Sequence, residues 1–337
     1  MGTCKNVPES EEVTNIPRTP AQAARPAPAR KPSRKHMSTI AKPAQPIATS
    51  SVGRAWYLTF QMSRARRAGC LPPAGEPVEL PERCRGAIKN KRVLITGSSK
   101  TIGQEIALQL VHAGANVITC ARSRPTAAEL ASLPHVKLDL GDKASIPAAV
   151  DTVQALGGAL DVLVLNAAVA NAQSYEVNVL GNARLLTQLM RSQLVVPGKT
   201  RVVVVTGDIY ATESDCDMTF EGLDARKYAQ SKLGLNWWCM DLLRAHPDLD
   251  LCLVHPGVID SELFVFGGLL GALKRMLFLT NPMGAYPVAL VSSVPTNEFV
   301  KGGYLINTLG WVTLSPKDPL NDAERMNKFV AKVNAML

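Results

Sequence analysis

The stretch Thr96-Gly-Ser-Ser-Lys-Thr-Ile-Gly103 decides the fold, because it lies between an apolar run that begins at Arg92 and a segment with helical spacing. Gly97 permits a tight turn, and Gly103 lets the next helix approach the sheet closely. A helix that begins here turns its free backbone N–H groups and the positive end of its dipole toward a bound pyrophosphate. The stretch therefore predicts a strand, a phosphate-binding turn and a helix. An ordinary tight turn between strand and helix is the alternative interpretation.

From residue 91 onward, short apolar runs alternate with longer segments of helical periodicity. Strands that are apolar throughout and alternate with helices are typical of a parallel sheet covered on both faces. Because crossovers between parallel strands are right-handed, the expected fold class is α/β, a doubly wound parallel sheet (Rossmann fold) with three α/β/α layers, in one domain over residues 91–337. Strands are predicted at 92–97, 116–121, 136–140, 161–165, 201–206, 249–254 and 303–306, and helices at 101–114, 125–133, 144–156, 175–190 and 223–245.

Residues 1–90 differ in composition and are predicted to form a disordered basic extension. Residues 1–92 contain 12 of the 23 prolines and 17 Lys/Arg against 6 Asp/Glu. Such a composition buries too little apolar surface to offset the entropy of ordering. Three functional interpretations stay open: a targeting segment that resembles an organellar transit peptide, a tail that precedes a true start at Met37 or Met62, and a disordered interaction arm. A tail that takes no part in the chemistry is the favoured alternative. The expected localisation is cytoplasmic, with an organelle as the alternative.

The charge and the cysteines exclude several classes of protein. The net charge is +9, but residues 93–337 carry 20 Lys/Arg against 22 Asp/Glu. The basic character therefore lies in the extension, and nucleic acid is the least favoured partner. The seven cysteines show no CxxC spacing and the five histidines are dispersed, so no metal site is expected. No apolar run in the sequence reaches the ~18 residues needed to span a bilayer.

Two cations stand where the adenosine ribose of a dinucleotide would lie. Lys100 is in the glycine-containing turn, and Arg122 follows the second predicted strand, with no acidic residue until Glu129. An acid after this strand would hydrogen-bond a 2′-hydroxyl, whereas a guanidinium suits a 2′-phosphate. The pattern favours NADP(H) over NAD(H), and two solvated surface cations are the alternative. Asp139, after the third strand, is placed either at the adenine edge or as the cap of a turn.

The pair in Tyr228-Ala-Gln-Ser-Lys232 predicts acid/base chemistry. Residues four apart lie on one helix face, with about 5–6 Å between their Cβ atoms. A phenol with a pKa near ~10 is a poor base at neutral pH, and a neighbouring ammonium is expected to lower that pKa. Tyr228 then exchanges a proton with a carbonyl or alcohol oxygen while a nicotinamide carries the hydride. A helix face that carries Tyr and Lys without a function is the alternative.

Five motifs follow one another in an order that carries a family resemblance: Thr96–Gly103, Leu165-Asn-Ala-Ala168, Asn178, Tyr228–Lys232 and His255-Pro-Gly-Val-Ile-Asp-Ser261. Over about residues 91–310 they resemble the short-chain dehydrogenase/reductase family. The 21 positions from Gly207 to Tyr228 are similar to the retinol dehydrogenase and WW-domain oxidoreductase branch. The resemblance implies a single Rossmann-type domain, a nicotinamide cofactor, and a homodimer or tetramer formed through the helices that contain Asn178 and Tyr228.

The resemblance also implies a role for each site residue. Tyr228 would be the acid/base, Lys232 would bind the nicotinamide ribose and tune Tyr228, and Asn178 would hold a water that relays protons to Lys232. The turn that contains Pro256 would lie under the nicotinamide. The expected cofactor-binding residues are Gly97, Ser99, Lys100, Thr101, Ile102, Gly103, Arg122, Asp139, Asn166, Ala167, Pro256, Gly257, Val258 and Ser261.

The chain departs from the family pattern at three places. Thr101 replaces the second glycine of the phosphate loop, and the 12-residue interval before Asn178 is short, which trims one wall of the substrate pocket. The family's catalytic serine maps onto Gly207, or onto Asp208 in a register one residue later, and neither carries a hydroxyl. Thr206 is the adjacent hydroxyl and is retained as a candidate catalytic residue, although neighbouring residues of a strand point to opposite faces.

An apolar segment at 263–279, interrupted by glycines, bears on the substrate. In the family this segment closes over the substrate, so a mobile lid over a lipophilic ligand is expected, with Lys274 and Arg275 placed for peripheral contact with lipid headgroups. A buried subunit interface or a core helix is the alternative. Two functions stay open. One is an NADP(H)-dependent oxidoreductase that transfers hydride to or from a lipophilic carbonyl or alcohol, and the other is a catalytically impaired nucleotide-binding protein that lacks the serine.

Overall fold

The computed structural model describes residues 45–46, 78–216, 224–259, 278–307 and 310–337, whose strands form one sheet. The strands are β1 (Gln45–Pro46), β2 (Arg92–Thr96), β3 (Asn116–Ala121), β4 (His135–Lys137), β5 (Val162–Leu165), β6 (Arg201–Val205), β7 (Asp250–His255), β8 (Tyr304–Ile306) and β9 (Gly310–Thr313). Their spatial order is β1-β9-β8-β7-β6-β5-β2-β3-β4. Neighbouring strands are parallel, except that β8 and β9 are antiparallel.

The α-helices of the described residues are α1 (Glu82–Ile88), α2 (Thr101–His112), α3 (Ser145–Ala155), α4 (Asn182–Arg191), α5 (Asp224–Ala245), α6 (Asn281–Ser293) and α7 (Ala323–Asn334). A π-helix, Glu176–Gly181, leads directly into α4. Short 3-10 turns lie at Ala128–Leu130, Asp208–Thr212, Thr296–Glu298 and Pro319–Asn321. Within the described ranges, none of these helices has the length and apolarity that crossing a membrane requires.

Alternate residues of each strand pack on opposite faces of the sheet, which produces the three expected layers. On β2, Leu94 packs with Leu163 and the helices α3, α4 and α5, whereas Ile95 packs with Val164 and the helices α1, α2 and α6. All four side chains are completely or almost completely buried. The predicted α/β doubly wound fold is therefore confirmed.

The sheet changes direction at β2. The chain proceeds from β2 outward through β3 to β4 and then returns to place β5 on the other side of β2. In open α/β sheets, the connections that leave the carboxyl ends of the two strands at such a reversal run in opposite directions, and ligands bind in the crevice between them. The topology therefore places the ligand crevice at the ends of β2 and β5.

The C-terminal helix α7 packs against α5 on the side away from the sheet. The indole Nε1 of Trp237 donates to the carbonyl of Pro319 at 2.9 Å, and that of Trp238 donates to Oδ1 of Asn334 at 3.1 Å. With the sheet on one side and α7 on the other, every residue of α5 from Ala229 to Cys239 is buried. The two tryptophans are thus core residues with satisfied N–H groups.

Two differences from the sequence analysis concern the helices. The predicted helix over 125–133 is wrong, because only the 3-10 turn Ala128–Leu130 forms there. The side-chain oxygen of Gln104 accepts the backbone N–H groups of Thr126 and Ala127, so α2 holds the start of this segment in a loop. Helices α1, α6 and α7 and strand β9 were not predicted.

The packed part of the chain begins before the predicted boundary at residue 90. Leu80, Cys84 and Ile88 are buried in the same cluster as Val93 of β2. Residues 81–88 were assigned to the extension, but an apolar face of α1 belongs to the core. The predicted disorder of the remaining extension lies outside the described residues, apart from the short strand β1.

Candidate active site

A cleft of about 460 Å³ opens at the carboxyl ends of β2 and β5 and reaches α5. It is lined by most of the predicted site residues: Gly97, Ser99, Lys100, Thr101, Ile102, Arg122, Asp139, Asn166, Ala167, Thr206, Tyr228, Lys232 and Pro256. Four predicted residues, Gly103, Asn178, Gly257 and Val258, lie behind this lining, and Ser261 lies outside the described residues.

The phosphate turn is built from two glycines that no other residue could replace without displacing backbone. Gly97 has φ +67°, and a Cβ there would lie 2.8 Å from the Cα of Ala167. A Cβ on Gly103 would lie 2.1 Å from the carbonyl oxygen of Gly97. The absence of a side chain at Gly103 therefore lets α2 pack closely against the turn. The absence of one at Gly97 lets the turn pass close to the residues that follow β5.

Thr101 begins helix α2 with a φ of +50°, which is unfavourable for a β-branched residue. This is the position at which the family carries its second glycine. The backbone conformation of that glycine is thus retained by a threonine, and its side chain joins the lining of the cleft.

The turn is fastened to β5 by a set of hydrogen bonds centred on Thr96. Its Oγ1 accepts the backbone N–H groups of Asn166 and Ala167 at 3.0 and 3.1 Å. The side-chain amide of Asn166 donates back to the carbonyls of Thr96 and Gly97 at 2.9 and 3.3 Å. The sequence analysis assigned no role to Thr96. Its position directly before the first glycine of the turn was the signal that could have pointed to one.

The cations expected at the adenosine end are exposed and line the cleft. Lys100 and Arg122 both lie on its wall, near Asp139. One carboxylate oxygen of Asp139 accepts the backbone N–H of Gly141 at 3.0 Å, so this side chain caps a turn and lines the cleft at once. The turn cap is therefore confirmed, and the contact of Asp139 with an adenine edge stays a prediction.

Lys232 and Tyr228 project into the other end of the cleft from α5. The ammonium of Lys232 donates to the carbonyl of Val205 at 2.8 Å and lies 5.5 Å from the centre of the Tyr228 ring. The lysine side chain is almost fully buried, and this burial lowers the pKa of Lys232 to about 8. Burial also raises the pKa of Tyr228 above its ordinary value. The expected lowering of the Tyr228 pKa is therefore wrong for the protein alone, because desolvation of the phenolate outweighs the nearby ammonium.

Asn178 lies in the π-helix and links α5 to the loop after β5. Its Oδ1 accepts the backbone N–H of Val169 at 2.8 Å, while its Nδ2 donates to the Val169 carbonyl at 2.7 Å and to Oγ of Ser231 at 2.9 Å. Ser231 in turn donates to the carbonyl of Tyr228 at 2.7 Å. These bonds hold the second turn of α5 in place, and Ser231 is a second positioning residue that sequence reasoning missed.

Gly207 is the residue whose side-chain position faces the Tyr228 hydroxyl. A Cβ on Gly207 would lie 3.9 Å from that hydroxyl oxygen and 3.9 Å from Cγ2 of Ile209, with no closer neighbour in the described residues. The backbone of Gly207 is extended, with φ −158° and ψ 136°, which any residue adopts. The structure therefore supports the register in which Gly207, and not Asp208, takes the place of the family's serine.

The two residues that flank Gly207 are directed elsewhere. Asp208 is buried and accepts a hydrogen bond of 2.7 Å from the hydroxyl of Tyr304, within the core. Thr206 lines the cleft, but its hydroxyl oxygen is buried and has no hydrogen-bond partner among the described residues. Both observations agree with the alternation of side chains along an extended strand.

The turn after β7 forms the floor of the cleft near Tyr228. Gly257 has φ +99°, and the carbonyl of Pro256 accepts the side-chain amide of Asn307 at 2.7 Å. Val258 and Ile102, at the start of α2, both pack against the small cluster of Ile259, Leu279 and Met283. The backbone N–H of Leu279 donates to the Val258 carbonyl at 2.9 Å, so the turn is held both by Asn307, just after β8, and by Leu279.

The cleft fits a dinucleotide. A positive-φ glycine and the N-terminus of α2 lie at its centre, two cations lie at one end, and a buried amine beside a phenol lies at the other. No group of three or more His, Cys, Asp or Glu side chains in the described part of the chain is arranged to hold a metal ion.

A family model of short chain dehydrogenases matches residues 91–265. The match covers more than half of the chain, so the protein belongs to the short chain dehydrogenase family of oxidoreductases, as its motifs indicated.

Human retinol dehydrogenase 12 is 31% identical over 224 residues, which cover 57% of this chain and 70% of the relative. Retinol dehydrogenase 13 of Mus musculus is 26% identical over 257 residues, which cover 65% and 76%. The 3-oxoacyl-[acyl-carrier-protein] reductase FabG of Vibrio harveyi is 28% identical over 193 residues, which cover 52% and 76%.

Solved structures share the fold at low sequence identity. A short chain dehydrogenase of Leptospira borgpetersenii with bound NAD+ superposes with a TM-score of 0.55 at 17% identity, covering 70% of this chain and 98% of that one. An alcohol dehydrogenase of Thermococcus sibiricus complexed with 5-hydroxy-NADP gives a TM-score of 0.52 at 22% identity, covering 65% and 97%. Nicotinamide cofactors of both the NAD and the NADP type thus occur among the structural neighbours.

Proposed function

We propose that this oxidoreductase uses NADP(H) to interconvert a carbonyl compound and an alcohol, with Tyr228 as the acid/base. The observation that carries the proposal is the buried Lys232 amine, fixed on the Val205 carbonyl beside Tyr228 in the same cleft as the phosphate turn. A buried ammonium and phenol are costly to keep in one cleft unless they serve a ligand.

When bound, the nicotinamide ring supplies or accepts a hydride at the substrate carbon. The residues of the chain do the rest. The N-terminus of α2 and the glycine turn bind the pyrophosphate, and Arg122 with Lys100 binds the 2′-phosphate. Lys232 keeps N–H groups available for the adjoining ribose, because one hydrogen bond to Val205 leaves two of its protons.

The raised pKa of Tyr228 favours the reduction of a carbonyl at neutral pH. In that direction the carbonyl carbon gains the hydride, the C=O double bond becomes a single bond, and the oxygen takes the proton of the Tyr228 hydroxyl. A phenol with a raised pKa stays protonated and is ready to donate. Oxidation needs the phenolate and is therefore expected to speed up as the pH rises.

A second candidate function is nucleotide binding without efficient catalysis, and Gly207 favours it. Tyr228 faces a position without a side chain where the family places a hydroxyl. One hydrogen-bond donor to a developing oxyanion is typically worth about 10²–10³ in turnover. The two candidates differ in whether the unmodified protein turns over.

Matched Tyr→Phe variants separate the candidates. Tyr228→Phe removes the hydroxyl in the cleft, whereas Tyr175→Phe removes one that contacts the sulfur of Met336. With NADPH and a panel of aldehydes, ketones and retinoids, we expect turnover that Tyr228→Phe reduces by at least about 100-fold and Tyr175→Phe leaves near the parent. NADPH binding without turnover in the parent supports the second candidate, and absence of both NADPH and NADH binding refutes both.

The preference for NADP(H) has its own test. Arg122→Ala should weaken NADPH binding by about tenfold or more and leave NADH binding nearly unchanged, because only the 2′-phosphate contacts the guanidinium. Arg191→Ala, an exposed arginine at the end of α4, is the charge-matched control. An equal loss of NADPH affinity in both variants refutes the assignment.

The finer aspects of substrate and assembly rest on the sequence and the relatives. A lipophilic substrate is proposed from the apolar segment 263–279, of which only 278–279 are described, and from the retinol dehydrogenases among the relatives. A homodimer or tetramer, peripheral membrane contact, and a cytoplasmic location with an organelle as the alternative stay predictions.

A further inference from the structure

Among the described residues, Gly207 leaves room for a polar group beside the Tyr228 hydroxyl. A Cβ placed there would be 3.9 Å from the hydroxyl oxygen, and an oxygen one covalent bond beyond it would come within hydrogen-bonding distance, about 2.7 Å. The glycine backbone is extended and relaxed, so conformation does not explain the missing side chain. The room adjoins the cleft, whose lining includes Thr206 and Tyr228, at the place where the substrate oxygen must meet Tyr228.

Carbonyl reduction needs more than one donor at this place. Negative charge develops on the substrate oxygen in the transition state, and enzymes stabilise such charge with several preorganised donors. Tyr228 is one donor. Of the described residues beside it, Gly207 offers none and the hydroxyl oxygen of Thr206 is buried. Asp208 contributes a carboxylate that accepts from Tyr304 inside the core.

We propose that the substrate itself brings the second donor, and that the preferred substrates are carbonyl compounds with a hydroxyl on the carbon next to the carbonyl. This inference rests on the proposed function and names its substrate class. The neighbouring hydroxyl occupies the room at Gly207 and donates to the reacting oxygen or to Tyr228. In the reaction the carbonyl carbon gains a hydride from the reduced nicotinamide, which is oxidised, and the oxygen gains the Tyr228 proton. The product is a vicinal diol.

The inference is compatible with an apolar remainder of the substrate. Val169, Ala170 and Val177 line the cleft together with the polar Asn171 and Gln173. A substrate with a hydroxyl beside its carbonyl and an apolar remainder would therefore find polar and apolar side chains along the cleft. The hydroxyl decides recognition because an unpaired polar group in this buried place would be costly.

A pair of isosteric ketones tests the inference. α-Hydroxyacetophenone and propiophenone differ only in a hydroxyl or a methyl group at the same position. For the unmodified protein with NADPH, we expect kcat/KM for the hydroxyketone to exceed that for propiophenone by about 10- to 100-fold beyond the ratio seen in borohydride reduction.

Two variants of Gly207 supply the controls. Gly207→Ser provides a protein hydroxyl, so it should raise the activity toward propiophenone at least about tenfold and abolish most of the preference. Gly207→Ala fills the room without a donor, so it should lower the activity toward the hydroxyketone and leave that toward propiophenone low. Affinity gives a second measurement: the unmodified NADP+ complex should bind 1-phenylethane-1,2-diol more tightly than 1-phenylpropan-1-ol, and Gly207→Ser should reduce the difference.

Each other outcome overturns the inference. If the parent reduces both ketones with the borohydride ratio, a solvent molecule or nothing fills the room, and the proposed function stands alone. If the parent binds NADPH and reduces neither ketone while Gly207→Ser reduces propiophenone, the second candidate function is correct. An unchanged preference in Gly207→Ser places the substrate hydroxyl elsewhere.

Discussion

Substituting Gly234 with alanine tests how the helix that carries Tyr228 and Lys232 is held. A Cβ on Gly234 would lie 2.5 Å from Cζ and 2.8 Å from Cε1 of Phe329 on α7. The ring cannot move freely, because its centre lies 5.8 Å from that of Trp237 and 6.3 Å from that of Tyr175. Overpacking of this kind costs about 1–3 kcal/mol, and the helix propensity of alanine returns about 1 kcal/mol. We expect Gly234→Ala to lower the free energy of unfolding by up to about 2 kcal/mol.

The destabilisation should largely disappear when the ring is removed. Phe329→Leu deletes both ring carbons that the new methyl group would meet and leaves Cys216 Sγ, at 3.1 Å, as its remaining close neighbour. In that background Gly234→Ala should lose most of its destabilising effect, and it should stabilise the protein by up to about 1 kcal/mol if the sulfur gives way. Gly86→Ala in α1 is the matched control, because a Cβ there has nothing within 4 Å, and it should stabilise as well. Urea unfolding followed by tryptophan fluorescence measures the parent, the two single variants, the double variant and Gly86→Ala. Equal effects of Gly234→Ala in both backgrounds would refute the docking of α7 on α5.

Three further predictions concern the cleft. The folded-state pKa of Lys232 is about 8 and the unfolded value about 10.4, so its burial penalty is present below pH 8 and disappears above the unfolded value. In urea titrations, the free energy of unfolding of the parent should therefore rise by up to roughly 3 kcal/mol relative to that of Lys232→Met between pH 7.5 and 10.5. A difference between the two proteins that does not change with pH would contradict the buried ammonium. Thr101→Gly relieves a β-branched residue at φ +50° and should raise the thermal midpoint of unfolding, with about 1 kcal/mol gained, whereas a lower midpoint means that the threonine side chain stabilises the turn. Gly103→Ala brings a Cβ within 2.1 Å of the Gly97 carbonyl and should abolish NADPH binding or folding; a variant that binds like the parent disproves this packing.

The elements that the sequence predicted well carry their cause locally. The strand, turn and helix around Gly97 follow from an apolar run, a glycine at positive φ and helical spacing within about 20 residues. Tyr228 and Lys232 share a helix face through their spacing alone, and the structure places both in the cleft.

The elements that were missed depend on packing that periodicity does not show. Helix α6 is buried at every residue from Met283 to Ser293, so its sequence lacks the polar face by which a surface helix is recognised. It also contains Pro287, and an internal proline argues against a helix. The π-helix at Asn178 has the same apolar spacing as an α-helix, and the hydrogen bonds to Val169 that favour it come from another segment. The direction of the Tyr228 pKa depends on burial by the whole fold, which the spacing to Lys232 does not contain.

The bonds between Thr96 and the end of β5 have a consequence for ligand binding. They join the phosphate turn to its neighbouring strand through backbone and side-chain atoms of the protein alone. The entropy of ordering the turn is therefore lost during folding, and a nucleotide meets a rigid receptor rather than a loop that it must organise. The amide hydrogens of Asn166 and Ala167 should exchange slowly with deuterium in the apo protein, and nucleotide should change that rate little, so its main effect falls on exposed side chains such as Arg122.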